Sequence, residues 1–324
     1  DFHSLHDTIL KQDILGHSTL DLLLDLEKRT GKSVNNIDCN DPSVYDMFLK
    51  ADTLCIPEFD TDFIRDMLIK TKPENFNELV KISCLCHGTN VWTDNAEHLI
   101  KNKICNISEV IAARDDIFDY LTSKGMDKYT AFRIMESVRK GLWAKQKLSD
   151  CDKKYFVEEM QSINVPDWYI DSLSKIRYMF PKAHAVAYVM MAFRIAWFKV
   201  HYPLAFYATF FSIRAKAFDA QFCCQDIDSV KRKIREIENN KDATAVEQNL
   251  MVTLEVCYEF LLRGYHFDPI DIYKSDATNF LITENGLLPP FVSVRGLGEA
   301  AAQATVEQRK GRTFLSVEEF SMCC

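Results

Sequence analysis

Tyr178-Met-Phe-Pro-Lys-Ala-His-Ala-Val-Ala-Tyr-Val-Met-Met-Ala-Phe-Arg-Ile-Ala-Trp-Phe-Lys-Val-His-Tyr-Pro203 is the stretch whose reading decides the fold. It reads as one long helix, opened by Pro181 in the first turn and closed before Pro203, because proline suits a helix start and cannot continue a helix interior. From Ala185 to Phe198 only Arg194 is charged, so most of the helix surface is expected inside a core. The N-terminal end differs. Lys182 and His184 stand there, and Tyr188 lies one turn beyond His184 on the same face. Free N–H groups and the positive dipole end of a helix suit a phosphate. Lysine, imidazole and phenol then run from charge to flat ring, as a nucleotide runs from phosphate to base. A core helix with an ordinary polar start has the same spacing, and from spacing alone it is the commoner case.

The rest of the composition bounds the class. A chain of 324 residues allows two or three domains, and 47% hydrophobic with 12% aromatic residues is enough for a packed core. No run is read as a membrane span and the N-terminus is not a signal peptide, so a cytoplasmic protein with no membrane partner is expected. The 11 cysteines are scattered rather than framework-spaced, which fits reduced thiols. A net charge of −8 argues against a generic nucleic-acid binder. It fits one if positive charge gathers in a cleft, and the clusters Arg133, Arg139, Lys140 and Lys231, Arg232, Lys233, Arg235 permit that.

Periodicity predicts helices over 20–29, 44–50, 62–71, 75–85, 95–101, 107–120, 129–140, 153–163 and 166–178, then 204–213, 230–239, 245–263 and 299–309. β-like pieces are short: 10–17, 280–283 and 286–288. Val294-Arg-Gly-Leu-Gly298, followed by Ala300, Ala301, Ala302 and Ala304, looks like the loop and second helix of a helix-hairpin-helix element. Its glycines would let backbone N–H groups at Gly296, Leu297 and Gly298 approach a DNA phosphate without reading sequence.

Phe180-Pro-Lys-Ala-His-Ala-Val-Ala-Tyr188 resembles the fingers helix of the PolC-type bacterial DNA polymerase III alpha subunit. Other blocks match in the same order: Asp1-Phe-His-Ser-Leu-His6, Asp13-Ile-Leu-Gly-His17, Ile56-Pro-Glu-Phe59, His87-Gly-Thr89 with Val91-Trp92, Arg114-Asp-Asp-Ile117, Ile134-Met-Glu-Ser-Val-Arg-Lys-Gly141 and Val165-Pro-Asp-Trp-Tyr-Ile170. The resemblance runs along essentially the whole chain, which would be a C-terminal piece of a longer protein. Where that family usually carries glycine, this chain has Cys55, Asp60 and Cys84; a positive φ at any of them would be strained by the Cβ.

The resemblance implies a mainly α fold: residues 1–19 ending the palm with a short β segment, 20–203 forming helical fingers, and 204–324 a mostly helical duplex-binding region stopping before the clamp-binding tail. It implies primer-terminus extension with deoxynucleotides by two-metal phosphoryl transfer, this part supplying nucleotide and duplex binding. Asp13 would be the third Mg²⁺-holding carboxylate, two others lying upstream; taken alone it reads as a surface aspartate. Lys11 lies on the same side of an extended strand and suits the triphosphate, or is simply solvated. His87, by the family's cleft-lining loop, with Arg114, Arg133, Arg139, Lys140, Phe180, Lys182, His184 and Tyr188, would hold the nucleotide. Without the family, the His87 turn is a plain helix C-cap and Arg133–Lys140 a favourable pairing with a helix dipole. Expected partners are primer-template DNA, dNTP, the sliding clamp and other replisome subunits of a bacterial, nucleoid-associated enzyme. The rivals are a non-catalytic helical nucleic-acid-binding module and a structural protein whose long helix is only core.

Overall fold

The computed structural model describes residues 18–323, and the chain is mainly α as expected. Lys11, Asp13 and the expected β-like run over 10–17 lie outside the described residues. The helix Lys182–His201 forms as expected, starting after Pro181 and ending before Pro203. Around it pack the helices Ser18–Thr30, Pro42–Leu49, Phe76–His87 and Pro203–Ile213. Its inward face is Ala185, Val189, Ala192, Phe193 and Ala196, all fully buried. Phe193 meets Tyr45, Phe48 and Phe76 at ring-centroid distances of 5.4, 6.3 and 6.4 Å. Such ring pairs add directional contact to the burial itself.

Among the described residues this 20-residue helix is long and apolar enough to cross a membrane by length and composition. Its packing gives the reason for the composition: a helix walled by four others carries apolar residues on most sides. Its one fully buried charge is partnered. Lys199 reaches Glu259 at 2.8 Å and the carbonyl of Leu54 at 2.9 Å. Tyr207 donates to the same Glu259, and Arg263 pairs with both Glu259 and Asp52.

The helix expected over 107–120 is instead Arg114–Ser123. Val110, Ile111, Ala112 and Ala113 are buried without being helical, and the Asp116 carboxylate accepts from the N–H groups of Ala112 and Ala113 at 3.0 and 3.1 Å. A carboxylate in the first turn satisfies donors that a helix start leaves free, so the helix begins there and not at the first apolar residue. Of Cys55, Asp60 and Cys84, only Cys55 takes a left-handed backbone, at φ +65°.

Towards the C-terminus, the helix Ala245–Leu262 leads to a three-stranded sheet. Gly286–Leu288 is its middle strand, parallel to His266–Phe267 and antiparallel to Leu281–Ile282. His266–Phe267 is too short to have been legible. A Cβ at Gly286 would stand 2.4 Å from the His266 carbonyl oxygen, which is why this strand starts with glycine. Phe218, Phe260, Phe267 and Phe280 join sheet and helices at centroid distances of 4.7 to 4.8 Å for the closest pairs. Beyond lies a smaller cluster of Ala277, Phe291 and Ala302, which seats the helix Glu299–Gln308.

Candidate nucleotide and nucleic-acid interface

The chain reaches the start of the long helix through an extended segment that is stapled to another part of the fold. Thr89 donates to the Tyr178 carbonyl at 2.9 Å, and Arg177 donates back to the Thr89 carbonyl at 3.1 Å. Gly88 permits this. A Cβ there would stand 2.4 Å from Val91 Cγ2 and 3.2 Å from the Tyr178 carbonyl oxygen. The helix Phe76–His87 therefore delivers His87, at its last position, against Phe180.

The result is a continuous row of rings. His87 and Phe180 lie 4.7 Å apart between centroids, Phe180 and His184 6.3 Å, His184 and Tyr188 6.4 Å. His184 is exposed and Tyr188 half-buried, so one side of the row faces outward. The structure thus brings together His87, Phe180, His184 and Tyr188.

Lys182 opens the helix beside this row. Its ammonium contacts Asp116 Oδ1 at 3.2 Å, and Lys81 approaches Asp116 Oδ2 at 3.5 Å. Partial burial works against the charged Lys182, but Asp116, with Asp115 and Asp119, outweighs it and holds the ammonium above its usual range. Lys182 is therefore a full cation at neutral pH. It is also half-buried rather than swept into solvent. Asp116 and Lys81 are site residues that spacing did not single out; the signal available was an aspartate in the first turn of a helix that starts late.

His87 has its own carboxylate. Its Nε2 stands 2.8 Å from Glu58 Oε2, and Glu58 sits at φ +70°, a left-handed conformation that costs a residue with a side chain. Hydrogen bonding to Cys86 and then to Glu58 outweighs partial burial and pushes the imidazole up to about 10. A raised folded-state value makes the pair's contribution complete below the unfolded histidine's 6.5 and lost as pH rises through about 10. The expected result is that wild-type Tm falls, relative to His87→Asn, between these two pH values. Parallel pH profiles for the two proteins would mean the imidazole carries no stabilising charge.

The expected basic wall is only partly free. Arg133 is committed to Asp152 at 2.7 Å and lies over the Phe156 ring at 5.1 Å. Arg139 makes a two-pronged contact with Glu136 at 2.7 and 2.8 Å, and Lys140 reaches the same carboxylate at 3.6 Å. Lys140 and Arg114 are exposed, and Arg114 has no ion pair among the described residues. Gly141, at φ +66°, presses on the segment before the long helix: a Cβ would come within 2.6 Å of the Arg177 carbonyl oxygen. That contact seats the Arg139–Lys140 end of its helix beside the approach to Phe180.

The glycine loop lies far along the chain from this site. Gly296 takes φ +87°, and Gly298 precedes the helix Glu299–Gln308 in an extended conformation. A Cβ at either position would meet nothing within 4 Å, and Ala300, Ala301 and Ala304 are exposed. The Leu297 N–H already donates to the Val294 carbonyl at 3.1 Å, so the open surface at this helix start is made by Gly296, Gly298 and the small alanine side chains.

A helical body thus presents a cation and a ring row at one helix start, and a glycine loop with an alanine-rich helix follows further along the chain. The family model for the finger domain of the bacterial DNA polymerase III alpha subunit matches residues 17–164, and that for a helix-hairpin-helix motif matches residues 264–324. Over 99% of its length the chain is 48% identical to a DNA polymerase III PolC-type from Caldanaerobacter subterraneus subsp. tengcongensis, covering 23% of that protein. It is 47% identical over 98% of its length to one from Bacillus cereus, covering 23% of it, and 46% over 98% to one from Lactococcus lactis subsp. lactis, covering 20%. The chain belongs to the PolC-type DNA polymerase III family, and it spans roughly a fifth to a quarter of the length of these curated relatives.

Proposed function

We propose that this chain supplies the nucleotide-binding fingers and a duplex-binding element of a replicative DNA polymerase that extends a primer 3′-end. The observation that carries the reading is the ring row from His87 to Tyr188 beside Lys182 at the helix start. The Lys182 ammonium exchanges Asp116 for a phosphate of the incoming triphosphate, and the free N–H groups of the first helical turn add their dipole. Phe180 and Tyr188 flank base and sugar, His184 stands between them, and imidazolium His87 adds a second positive charge. Arg139, Lys140 and Arg114 supply positive field at the rim, with Arg133 held in place behind them. Residues 1–19 are assigned to the end of the palm, 20–203 to the fingers and 204–324 to duplex binding through Gly296, Leu297 and Gly298.

Polymerase chemistry of this kind uses divalent ions, here Mg²⁺, to activate the primer hydroxyl and stabilise pyrophosphate. Asp13 is assigned as one carboxylate of that site, with Lys11 near the triphosphate. Both lie outside the described residues, and no group of three or more His, Cys, Asp or Glu that could hold a metal occurs among the described residues. Primer-template DNA, dNTP, a sliding clamp and other replisome subunits are the partners of the whole polymerase, in the bacterial cytoplasm at the nucleoid.

Lys182→Ala tests the reading. Because Lys182 gives up Asp116 when it meets a phosphate, the net loss is modest: dNTP affinity falls about tenfold, or ~1.4 kcal/mol. Melting changes little, since Asp116 keeps Lys81 and two backbone donors. Unchanged dNTP binding with reduced duplex binding would instead make the chain a non-catalytic nucleic-acid-binding module.

A further inference from the structure

A second surface, outside the ring row, has the chemistry of a single-strand binding platform. Over residues 127–155 eight lysines and arginines outnumber the four acids Asp127, Glu136, Asp150 and Asp152, in a chain of net charge −8. The same region exposes aromatic rings that a core would claim. Tyr129 is 70% exposed and Phe132 50%, both on the helix Lys128–Arg139; Tyr155 is 41% exposed on the helix Asp150–Ser162.

These rings are one patch. Arg133 lies over Tyr129 at 6.0 Å and over Phe156 at 5.1 Å, and Phe156 adjoins Tyr155 at 5.9 Å. Tyr129 and Phe132 are three residues apart on one helix and so are neighbours on its surface. Arg133 is fixed by Asp152 and therefore serves as the spacer between the rings; Lys128 is exposed next to Tyr129, while Lys140, Lys145 and Lys147 are exposed at and beyond the other end of the same helix.

Leaving large rings in water is unfavourable unless something stacks on them. Rings rimmed by cations fit a polyanion whose units carry flat faces, which is an unpaired nucleic-acid strand. A duplex offers no such faces, because its bases already stack on one another. Position supports the same occupant. The basic loop after this helix is pressed by Gly141 against Arg177, three residues before Phe180, so the patch continues outward from the proposed nucleotide site.

We propose that Tyr129, Phe132 and Tyr155 stack the bases of a single strand whose phosphates run past Lys128, Lys140, Lys145 and Lys147. On the reading given above, that strand is the unpaired template ahead of the incoming nucleotide.

The test is anisotropy of the full chain with labelled oligothymidylate of about 20 nucleotides, which lacks structure of its own. Tyr129→Ala with Phe132→Ala weakens binding tenfold or more, within the range for base–aromatic stacking, and Tyr129→Trp with Phe132→Trp restores it. The salt dependence of the alanine variant stays as in wild type, because no cation is removed. Lys145→Gln with Lys147→Gln instead lowers the slope of log K against log salt by about 1.4. Binding to a blunt duplex is unchanged in the aromatic variant. If wild type fails to bind the oligonucleotide, or if the alanine variant binds as tightly as wild type, the proposal is overturned and the patch is a contact surface for protein. Lys182→Ala with dNTP is read in parallel, so that loss of the single-strand platform leaves the nucleotide site judged on its own result.

Discussion

Lys199→Ala lowers the unfolding free energy by about 3–5 kcal/mol, the usual cost of stripping one partner from a buried ion pair. The side chain is wholly enclosed, with Glu259 at 2.8 Å and two backbone carbonyls accepting its protons. Without the ammonium, Glu259 stays beside Tyr207 with Arg263 as its remaining cation, and the Leu54 and Asp52 carbonyls lose their donor. Burial first, and Glu259 second, hold the Tyr207 phenol far above its usual range, so it remains a donor throughout. Chemical denaturation gives the readout. Lys199→Met with Glu259→Gln recovers most of the loss, because no uncompensated charge remains and the amide still accepts from Tyr207. A single-variant loss below ~1 kcal/mol would place this pair with solvated surface bridges.

Gly298→Val is expected to weaken duplex DNA by about 2–3 kcal/mol, whatever the base sequence, with the fold kept. The position has ordinary extended backbone, φ −75°, and nothing lies within 4 Å of an added Cβ, so only an outside molecule meets the new methyl groups. A branched side chain there blocks phosphate from the N–H groups at the helix start, removing one or two charge-assisted bonds. As a helix N-cap, valine for glycine costs the protein about 1 kcal/mol or less. Gly296→Val is the contrasting variant: at φ +87° it strains the loop itself, so its loss of binding comes with a lower Tm. Filter binding or anisotropy on two unrelated duplexes distinguishes the cases. Equal affinity for wild type and Gly298→Val would show that DNA does not approach this loop.

Much of the fold was legible because local chemistry decides it. The helix Asp62–Thr71 falls at the predicted residues, with Thr61 capping the Ile64 N–H, and Gly286–Leu288 likewise. The long helix was bracketed by its two prolines. What was not legible came from distant partners. The late start at Arg114 depends on Asp116 capping an apolar segment that is buried without being helical. The stacking of His87 on Phe180 joins residues far apart in sequence, through a glycine that only makes sense once Tyr178 lies against it. The family resemblance implied a nucleotide-holding role for both, whereas without it the His87 turn is a plain helix C-cap. Arg133 and Arg139 read as open cations, yet Asp152 and Glu136 occupy them, because in an acidic protein a carboxylate is usually within reach. Nothing in the spacing marks Lys199, whose partners Glu259 and Asp52 come together only in three dimensions.

The helix Lys182–His201 carries the ring row at one end and Lys199 near the other. At 1.5 Å per residue those two lysines are about 26 Å apart along a stiff rod. It acts as a lever with its pivot clamped in the protein interior. A tilt of about 2° at the pivot carries Lys182 sideways by roughly 1 Å, a misplacement large enough to slow a positioned reaction many-fold. Substitutions around Asp52, Tyr207, Glu259 and Arg263, none of them in the ring row, should therefore blunt nucleotide use before they unfold the chain.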